Sequence, residues 1–205
     1  MARDQSLKTV SFKRILPIIL VIGGIVGLIA SFIIMNDKLK LMENPGYLPS
    51  CSINPVLSCG SIMKSAQAKA FGFPNPFIGL AAFPVLITVG AAILACVTRL
   101  KRWFWLGLEA GAIFGLGFVH WLFFQSVYKI NALCIYCIAV WIVTIAGFWY
   151  VTLYNLEQGH IKAPKPLARV VNFAKRHHVD ILISWYLIIT ALIVEHFWYY
   201  FKTWF

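Results

Sequence analysis

The chain has 205 residues, of which 60% are apolar and only 12% are charged. Soluble domains carry about a quarter charged residues, so this composition excludes an ordinary soluble domain and indicates an integral membrane protein. The formal net charge of +11 does not indicate nucleic-acid binding, because the basic residues lie in short segments beside apolar runs, as the positive-inside bias produces.

Five apolar stretches are long enough to cross a bilayer as helices, which takes about 20 residues each. They are residues 15–35, 77–98, 103–128, 133–154 and 181–201. Helices are expected because a lone strand would leave its amides unsatisfied in lipid. The predicted fold class is therefore an all-α integral membrane protein, with a four-helix transmembrane bundle in residues 15–154 and a fifth transmembrane helix in residues 180–205.

The distribution of Lys and Arg predicts the orientation of these helices. The N-terminal arm (residues 1–14) holds four, the 99–102 turn three and the 155–179 segment five, against six in all remaining segments. The N terminus and the basic 155–179 linker are therefore predicted to be cytoplasmic, with the C terminus and the 36–76 loop outside. No convincing cleavage site follows the first apolar run, so this run is expected to be retained as a helix.

The predicted outer loop, residues 36–76, is rich in Pro and Gly and cannot form one continuous helix. Within it, residues 61–71 carry Ile62, Met63, Ala66 and Ala70 at helical spacing, which predicts a short amphipathic helix across the outer face. After the fifth helix only a short outer tail remains, so we expect no fused soluble domain.

Four of the five cysteines fall on the predicted outer side, where disulfides persist. Cys51 and Cys59 lie in the loop, and Cys134 and Cys137 lie at the start of the fourth helix. Asn131 is the predicted N-cap of that helix, which would place Cys134 in its first turn, where the helix dipole lowers thiol pKa values. The fifth cysteine, Cys96, is expected near the cytoplasmic end of the second helix as a structural thiol.

The two outer pairs permit more than one chemistry. A mobile loop pair could carry electrons to the helix pair by thiol–disulfide exchange. Two fixed structural disulfides would also account for the four outer cysteines. A four-thiolate zinc site is disfavoured, because one pair would have to unwind from a helix boundary to complete a tetrahedron, so we predict no metal.

The pattern resembles the vitamin K epoxide reductase family and its bacterial homologues across about residues 12–155. The resemblance rests on Cys51 and Cys59 after the first helix, Ser65 six residues beyond, the sequence Pro74-Asn75-Pro76-Phe77-Ile78-Gly79 leading into the second helix, and Cys134-Ile-Tyr-Cys137 opening the fourth.

This resemblance implies a four-helix bundle around a quinone. It implies that Cys137 contacts the quinone, that Cys134 exchanges with Cys59, and that Cys51 exchanges with an external thiol protein. Asn75 matches a family residue that hydrogen-bonds the quinone carbonyl. The other expected quinone-binding residues are Ser65, Ile78 and Trp141. Trp141 stands where animal members have a tyrosine, and an indole can donate a hydrogen bond but cannot accept one.

The predicted function is that of a bacterial inner-membrane thiol–quinone oxidoreductase. It would oxidise a separate extracytoplasmic thioredoxin-fold (DsbA-like) protein, reduce menaquinone or ubiquinone, and support disulfide bond formation. The alternatives are reduction of vitamin K epoxide, as animal relatives perform, and a non-enzymatic membrane scaffold with structural disulfides.

Ionisable residues inside the predicted helices are further candidates for function. Glu109 is expected to reach back to basic residues at the cytoplasmic face. His120 is expected to form an interhelical hydrogen bond, with proton supply to the quinone as the alternative. Glu195 and His196 are expected to face interfacial water or the partner.

Overall fold

A computed structural model of the protein describes residues 12–95, 100–162 and 164–202. Cys96, Arg99 and most of the N-terminal arm lie outside the described residues. Within the described ranges the chain is helical, and five of its helices are long and apolar enough to cross a membrane. The predicted fold class, an all-α multi-pass membrane protein, is confirmed.

The described residues form eight α-helices. They are α1 (Phe12–Glu43), α2 (Cys59–Lys64), α3 (Pro76–Leu94), α4 (Arg102–Phe124), α5 (Ile135–Glu157), α6 (Ala168–Arg176), α7 (His178–His196) and α8 (Trp198–Phe201). A π-helical turn, Gln125–Ile130, extends α4, and 3-10 turns cover Ala66–Lys69 and Lys165–Leu167.

The fifth helix, predicted over 181–201, is divided in the structure into α7 and α8 at Phe197. Two other predicted helices also have different bounds. The first was expected to end at Met35, but α1 continues for two further turns to Glu43. The amphipathic helix expected over residues 61–71 is wrong as a single element: Ser65 adopts an extended conformation with ψ 154° and separates α2 from the 3-10 turn. The Ser65 hydroxyl donates to the Ile62 carbonyl at 2.7 Å, so the side chain competes with helix continuation.

Helix α1 is the centre of the bundle, because it packs against both α3 and α5, while α4 packs against α5. Apolar surface does not drive helices together in lipid, so they approach most closely where small residues meet. Gly27 of α1 lies beneath the ring of Phe83, and Gly79 of α3 lies against the side chain of Ser31. A Cβ atom at either glycine would overlap its neighbour.

Helices α3 and α4 make no extended contact in the described part of the chain. Their separation leaves an apolar cavity bounded by α1, α3, α4 and α5. The unusual feature of the bundle is therefore that two neighbouring helices are held apart by the packing of the others.

Helix α7 is attached to the bundle by side-chain hydrogen bonds. The Trp185 indole donates to His120 Nε2 at 3.2 Å, so the proton of the neutral imidazole lies on Nδ1, which donates to the Leu116 carbonyl at 2.9 Å. The Tyr186 hydroxyl donates to the Ile142 carbonyl at 2.8 Å. His120 thus forms the expected interhelical hydrogen bond.

Glu109 does not pair with Lys101 or Arg102 as expected, and Arg99 lies outside the described residues. Glu109 is buried between α4 and α5, where Oε1 accepts from the Thr152 hydroxyl at 2.6 Å and Oε2 accepts from Asn155 Nδ2 at 2.8 Å. Both carboxylate oxygens are therefore satisfied by α5, as burial of a carboxylate requires.

The glycine contacts predict a stability difference between two matched variants. Gly27→Val would force α1 away from Phe83, at a cost of about 1–3 kcal/mol for overpacking. Gly117→Val is the control, because a Cβ atom there meets nothing within 4 Å. Thermal unfolding in detergent should show a lower midpoint for the first variant and a near-parental midpoint for the second. Equal midpoints would contradict the assigned α1–α3 contact.

Candidate redox site

The outer loop is fixed to the start of α5 by backbone pairing. The Ser58 amide donates to the Leu133 carbonyl at 2.9 Å, and the Leu133 amide donates to the Val56 carbonyl at 2.7 Å. These two bonds form a parallel bridge between Leu57 and Leu133. Cys59 follows Leu57 by two residues and Cys134 follows Leu133 directly, and the pairing brings these two cysteines side by side.

The loop is itself closed by local interactions. The Asn54 side chain accepts hydrogen bonds from the amides of Val56 and Leu57, at 3.0 and 2.6 Å, which is the usual way for Asn to stabilise a turn. A disulfide bond joins Cys51 to Cys59. The loop pair is therefore covalently linked in this state.

Three sulfur atoms meet where the loop contacts α5. The Sγ atoms of Cys59 and Cys134 are 3.1 Å apart, and the sulfurs of Cys51, Cys59 and Cys134 all lie within 4.8 Å of one another. Cys134 and Cys137 are free thiols. A thiol thus lies against one sulfur of a disulfide, which is the arrangement from which exchange proceeds.

This sulfur cluster is closed to water. Cys51, Cys59 and Cys134 are 4%, 0% and 1% exposed, respectively. In this state the disulfide also leaves Cys51 and Cys59 without the thiolates that a zinc site would need.

The predicted N-cap Asn131 is wrong. Asn131 adopts the left-handed conformation, with φ 55° and ψ 41°, and ends the preceding π turn, a position that Asn tolerates better than most residues. Its Oδ1 atom lies 2.7 Å from Nε2 of His196, which was expected to face water or the partner. Helix α5 begins at Ile135, so Cys134 is the N-cap residue.

The position of Cys134 favours its thiolate. A hydrogen bond from the Cys137 thiol lowers the pKa of Cys134, and the backbone amides of Cys137 and Tyr136 lower it further. Burial and the negative charge of Asp37 act in the opposite direction, but the net shift of the pKa is downward. The helix start therefore stabilises the thiolate, although through the cap position rather than the first turn.

A cavity of about 580 Å³ adjoins the helix pair. Cys134 and Cys137 line it, as do all four residues expected to bind quinone, namely Ser65, Asn75, Ile78 and Trp141. The cavity extends between α3 and α4 as far as Trp103 near the start of α4. Its other lining is almost entirely apolar, as is typical of sites for hydrophobic ligands.

The polar groups of the cavity are held in place by the loop. Asn75 Nδ2 donates to the Gln67 carbonyl at 2.8 Å, and Asn75 Oδ1 accepts from the Ala70 amide at 2.9 Å. Because an amide nitrogen carries two protons, one N–H of Asn75 remains for a ligand. Trp141 is buried with its ring edge-to-face on Phe123, and its indole N–H has no acceptor among the described residues.

Sequence reasoning missed the polar end of α1. Asp37 and Lys38 are both buried, on the same helical face as Ile34 and Leu41, which pack against the sulfur cluster. The 3.6-residue spacing of these positions could have revealed this face, but the helix was expected to end before them.

Together, the fold and this site define a multi-pass membrane protein with a buried thiol–disulfide centre beside an apolar cavity. The family model for the vitamin K epoxide reductase family matches residues 18–152. The chain therefore belongs to this family, and it is an oxidoreductase of the membrane thiol–quinone or thiol–epoxide type with a cysteine pair. A search of curated proteins finds no match to the chain.

The hydrogen bond between the helix thiols predicts a change in the reactivity of Cys134. In a background lacking the other three cysteines (Cys51→Ala, Cys59→Ala, Cys96→Ser), Cys137→Ala should raise the pKa of Cys134, because it removes the largest influence that lowers it. The measurement is the rate of iodoacetamide alkylation of Cys134 as a function of pH, with and without Cys137→Ala. If the pH midpoint of the alkylation rate stays in place or falls in the Cys137→Ala variant, the assigned hydrogen bond is contradicted.

Proposed function

We propose that this protein is a thiol–quinone oxidoreductase that oxidises an extracytoplasmic thioredoxin-fold (DsbA-like) protein and reduces a membrane quinone, supporting disulfide bond formation. The observation that carries this proposal is the 3.1 Å contact between the sulfurs of Cys59 and Cys134, beside a cavity lined by Cys137. One sulfur pair can thus exchange with the next while the last thiol meets a hydrophobic acceptor.

Electrons enter through the loop pair. One thiolate of the reduced partner attacks Cys51 Sγ, breaks the Cys51–Cys59 bond and forms a mixed disulfide. The second partner thiol resolves it, so the partner leaves oxidised and the loop becomes a dithiol.

The helix pair then receives the two electrons. Starting from a Cys134–Cys137 disulfide, the Cys59 thiolate attacks Cys134 and releases Cys137. Cys51 resolves the Cys59–Cys134 bond, which restores the loop disulfide and leaves a helix dithiol. The structure has this last combination, an oxidised loop pair with reduced Cys134 and Cys137.

Quinone reduction completes the cycle. Cys137, with Cys134, transfers two electrons and two protons to the quinone, which leaves as quinol, and the Cys134–Cys137 disulfide re-forms. The N–H groups of Asn75 and Trp141 donate to the quinone carbonyl oxygens, and Ser65 and Ile78 flank the ring. The apolar tail of menaquinone or ubiquinone leaves through the space between α3 and α4.

The proposed organisation follows from this electron path. Residues 15–154 form the catalytic domain and residues 36–76 its extracytoplasmic redox loop. The arm at 1–14 and the basic linker at 155–179 lie in the cytoplasm, and residues 180–205 form the fifth transmembrane helix and a short outer tail. A bacterial inner membrane provides the required quinone and an oxidising outer compartment.

The first functional prediction concerns Cys137. Purified protein supplied with a reduced thioredoxin-fold protein and excess short-chain ubiquinone should produce quinol, and Cys137→Ser should abolish this activity because the last electron donor is lost. Quinol formation is followed by absorbance. Cys96→Ser is the matched control and should retain full activity, since its thiol has no place in the path.

The same assay separates the alternatives. Undiminished turnover in Cys137→Ser would rule out the mechanism, and no turnover in the parent would favour a scaffold with fixed disulfides. Replacing the quinone by vitamin K epoxide tests the other activity of the family. A faster reaction with the epoxide than with the quinone would overturn the proposal that quinone is the electron acceptor.

A second prediction concerns the quinone contact of Trp141. Trp141→Phe keeps an aromatic ring against Phe123 but removes the only donor of the side chain, so the KM for quinone should rise about two- to tenfold, the usual worth of one hydrogen bond. The KM for the thiol substrate should be unchanged, because Trp141 lies in the cavity and not in the loop. An unchanged KM for quinone would exclude this contact.

A further inference from the structure

Asp37 is a buried carboxylate with an unsatisfied oxygen. The residue is 5% exposed, and its Oδ2 atom is closed to solvent and has no hydrogen-bond partner among the described residues. No Lys, Arg or His side chain in the described ranges lies within ion-pair distance of it. Because burying an uncompensated carboxylate is costly, this arrangement requires an explanation.

The position of Asp37 associates it with the sulfur cluster. Ile34 and Leu41, three residues before and four residues after it on α1, both pack against the cluster formed by the loop and helix cysteines. The charge of Asp37 acts on the thiol of Cys134. Asp37 therefore lies on the face of α1 that covers the reacting sulfurs.

Tyr47 holds the other oxygen of the carboxylate. Its hydroxyl donates to Asp37 Oδ1 at 3.0 Å, and the Tyr47 ring also packs against the sulfur cluster. This hydrogen bond, together with burial, raises the pKa of Tyr47, so the phenol remains a donor. Oδ1 is thus occupied, and Oδ2 is left to accept a proton.

Other ionisable groups lie on α1 itself and on the segments that pack against it. The ammonium of Lys38 on the same helix donates to the Met63 carbonyl, and that of Lys40 lies over the Tyr47 ring, 5.5 Å from its centre. The packed segments also carry Cys59 on α2, Lys69 on the 3-10 turn, and Cys134 and Tyr136 at the start of α5. Of these, Lys69 acts on Lys38, Tyr136 acts on Tyr47, and Cys134 feels the charge of Asp37 itself. Neither lysine on α1 neutralises Asp37.

We propose that Asp37 accepts the proton released by the loop dithiol when Cys59 attacks Cys134, and that Tyr47 is a positioning residue for this transfer. The inference rests on the proposed function, because it assigns the proton acceptor of the internal exchange step. In that step the Cys59 thiol gives its proton to Asp37 Oδ2. The step requires that opening of the Cys51–Cys59 disulfide bring Cys59 Sγ within hydrogen-bond distance of Oδ2, which has no partner among the described residues while the loop is oxidised. The Cys59 thiolate forms a bond to Cys134 Sγ, and the Cys134–Cys137 bond breaks with its electron pair passing to Cys137.

A base is needed because the step takes place away from water. A thiol with a pKa of about 8.5 is only about 3% ionised at pH 7, and the three sulfurs are all but inaccessible to solvent. A buried carboxylate at the cluster can accept the thiol proton and so generate the thiolate, which would raise the rate of exchange by up to about 30-fold near pH 7. Above the thiol pKa the gain disappears.

The test compares Asp37→Asn with Glu43→Gln, which makes the same change at an exposed position of α1. Quinol formation is measured with a reduced thioredoxin-fold protein as donor and short-chain ubiquinone as acceptor, from about pH 6 to about pH 9.5. Asp37→Asn should be slower by about 10- to 30-fold near pH 7 and approach the parent above pH 9. Glu43→Gln should follow the parent throughout.

The electrostatic explanation of Asp37 predicts the opposite sign. Removing the negative charge would lower the pKa of Cys134, so a purely electrostatic role would leave Asp37→Asn as fast as the parent or faster at every pH. That result would overturn the proposal. A parent that reduces no quinone would instead refute the proposed function, so the two failures are distinguishable.

Tyr47→Phe provides a second variant, in which the carboxylate itself is retained. Loss of the donated hydrogen bond leaves the carboxylate free to turn away from the sulfurs, so the rate should fall near pH 7 and approach the parent rate above pH 9, as for Asp37→Asn. A merely structural role of Tyr47 would lower the rate equally at all pH values. A rate equal to that of the parent at every pH would exclude the assigned pairing, even if Asp37→Asn failed to fold.

Discussion

The redox site depends on two backbone hydrogen bonds between the outer loop and the residue before α5. They set the register of Leu57 against Leu133, and this register places Cys59 next to Cys134. A shift of one residue would move a sulfur by about 3.3 Å along an extended segment and also turn it to the opposite side. The sulfur contact is therefore determined by main-chain pairing, which substitution of side chains elsewhere in the loop should leave intact.

The packing of α1 determines where a hydrophobic substrate can bind. Glycines let α1 approach α3 closely, and α5 packs on its other side, so α3 and α4 are held apart. The resulting cavity reaches the helix thiols, and its lining is mostly apolar. Among its polar residues, Asn75 is fixed by the loop and Trp141 packs on Phe123. Helix packing and loop pairing thus converge on Cys137, where the proposed chemistry ends.

Much of this arrangement could be predicted because two strong signals act independently. Long apolar runs have no stable alternative to spanning helices in lipid, and four outer cysteines in two pairs favour one redox cluster. The start of α5 was placed too early, since Asn131 can either cap a helix or end one in the left-handed conformation. Asp37 was missed because the charged residues after Met35 were taken as the end of α1. In the structure α1 continues to Glu43, and this part of the helix packs against the sulfur cluster.

Burial of the loop disulfide has a consequence for the selectivity of electron supply. Cys51 is 4% exposed, so small thiols dissolved outside the membrane have almost no access to it while the loop is paired. A docking protein that separates Leu57 from Leu133 would uncover Cys51 and interrupt the Cys59–Cys134 contact at the same moment. In the proposed cycle, reduction of the loop pair and electron transfer to the helix pair would then be mutually exclusive, so adventitious reductants would have little access to the quinone pool.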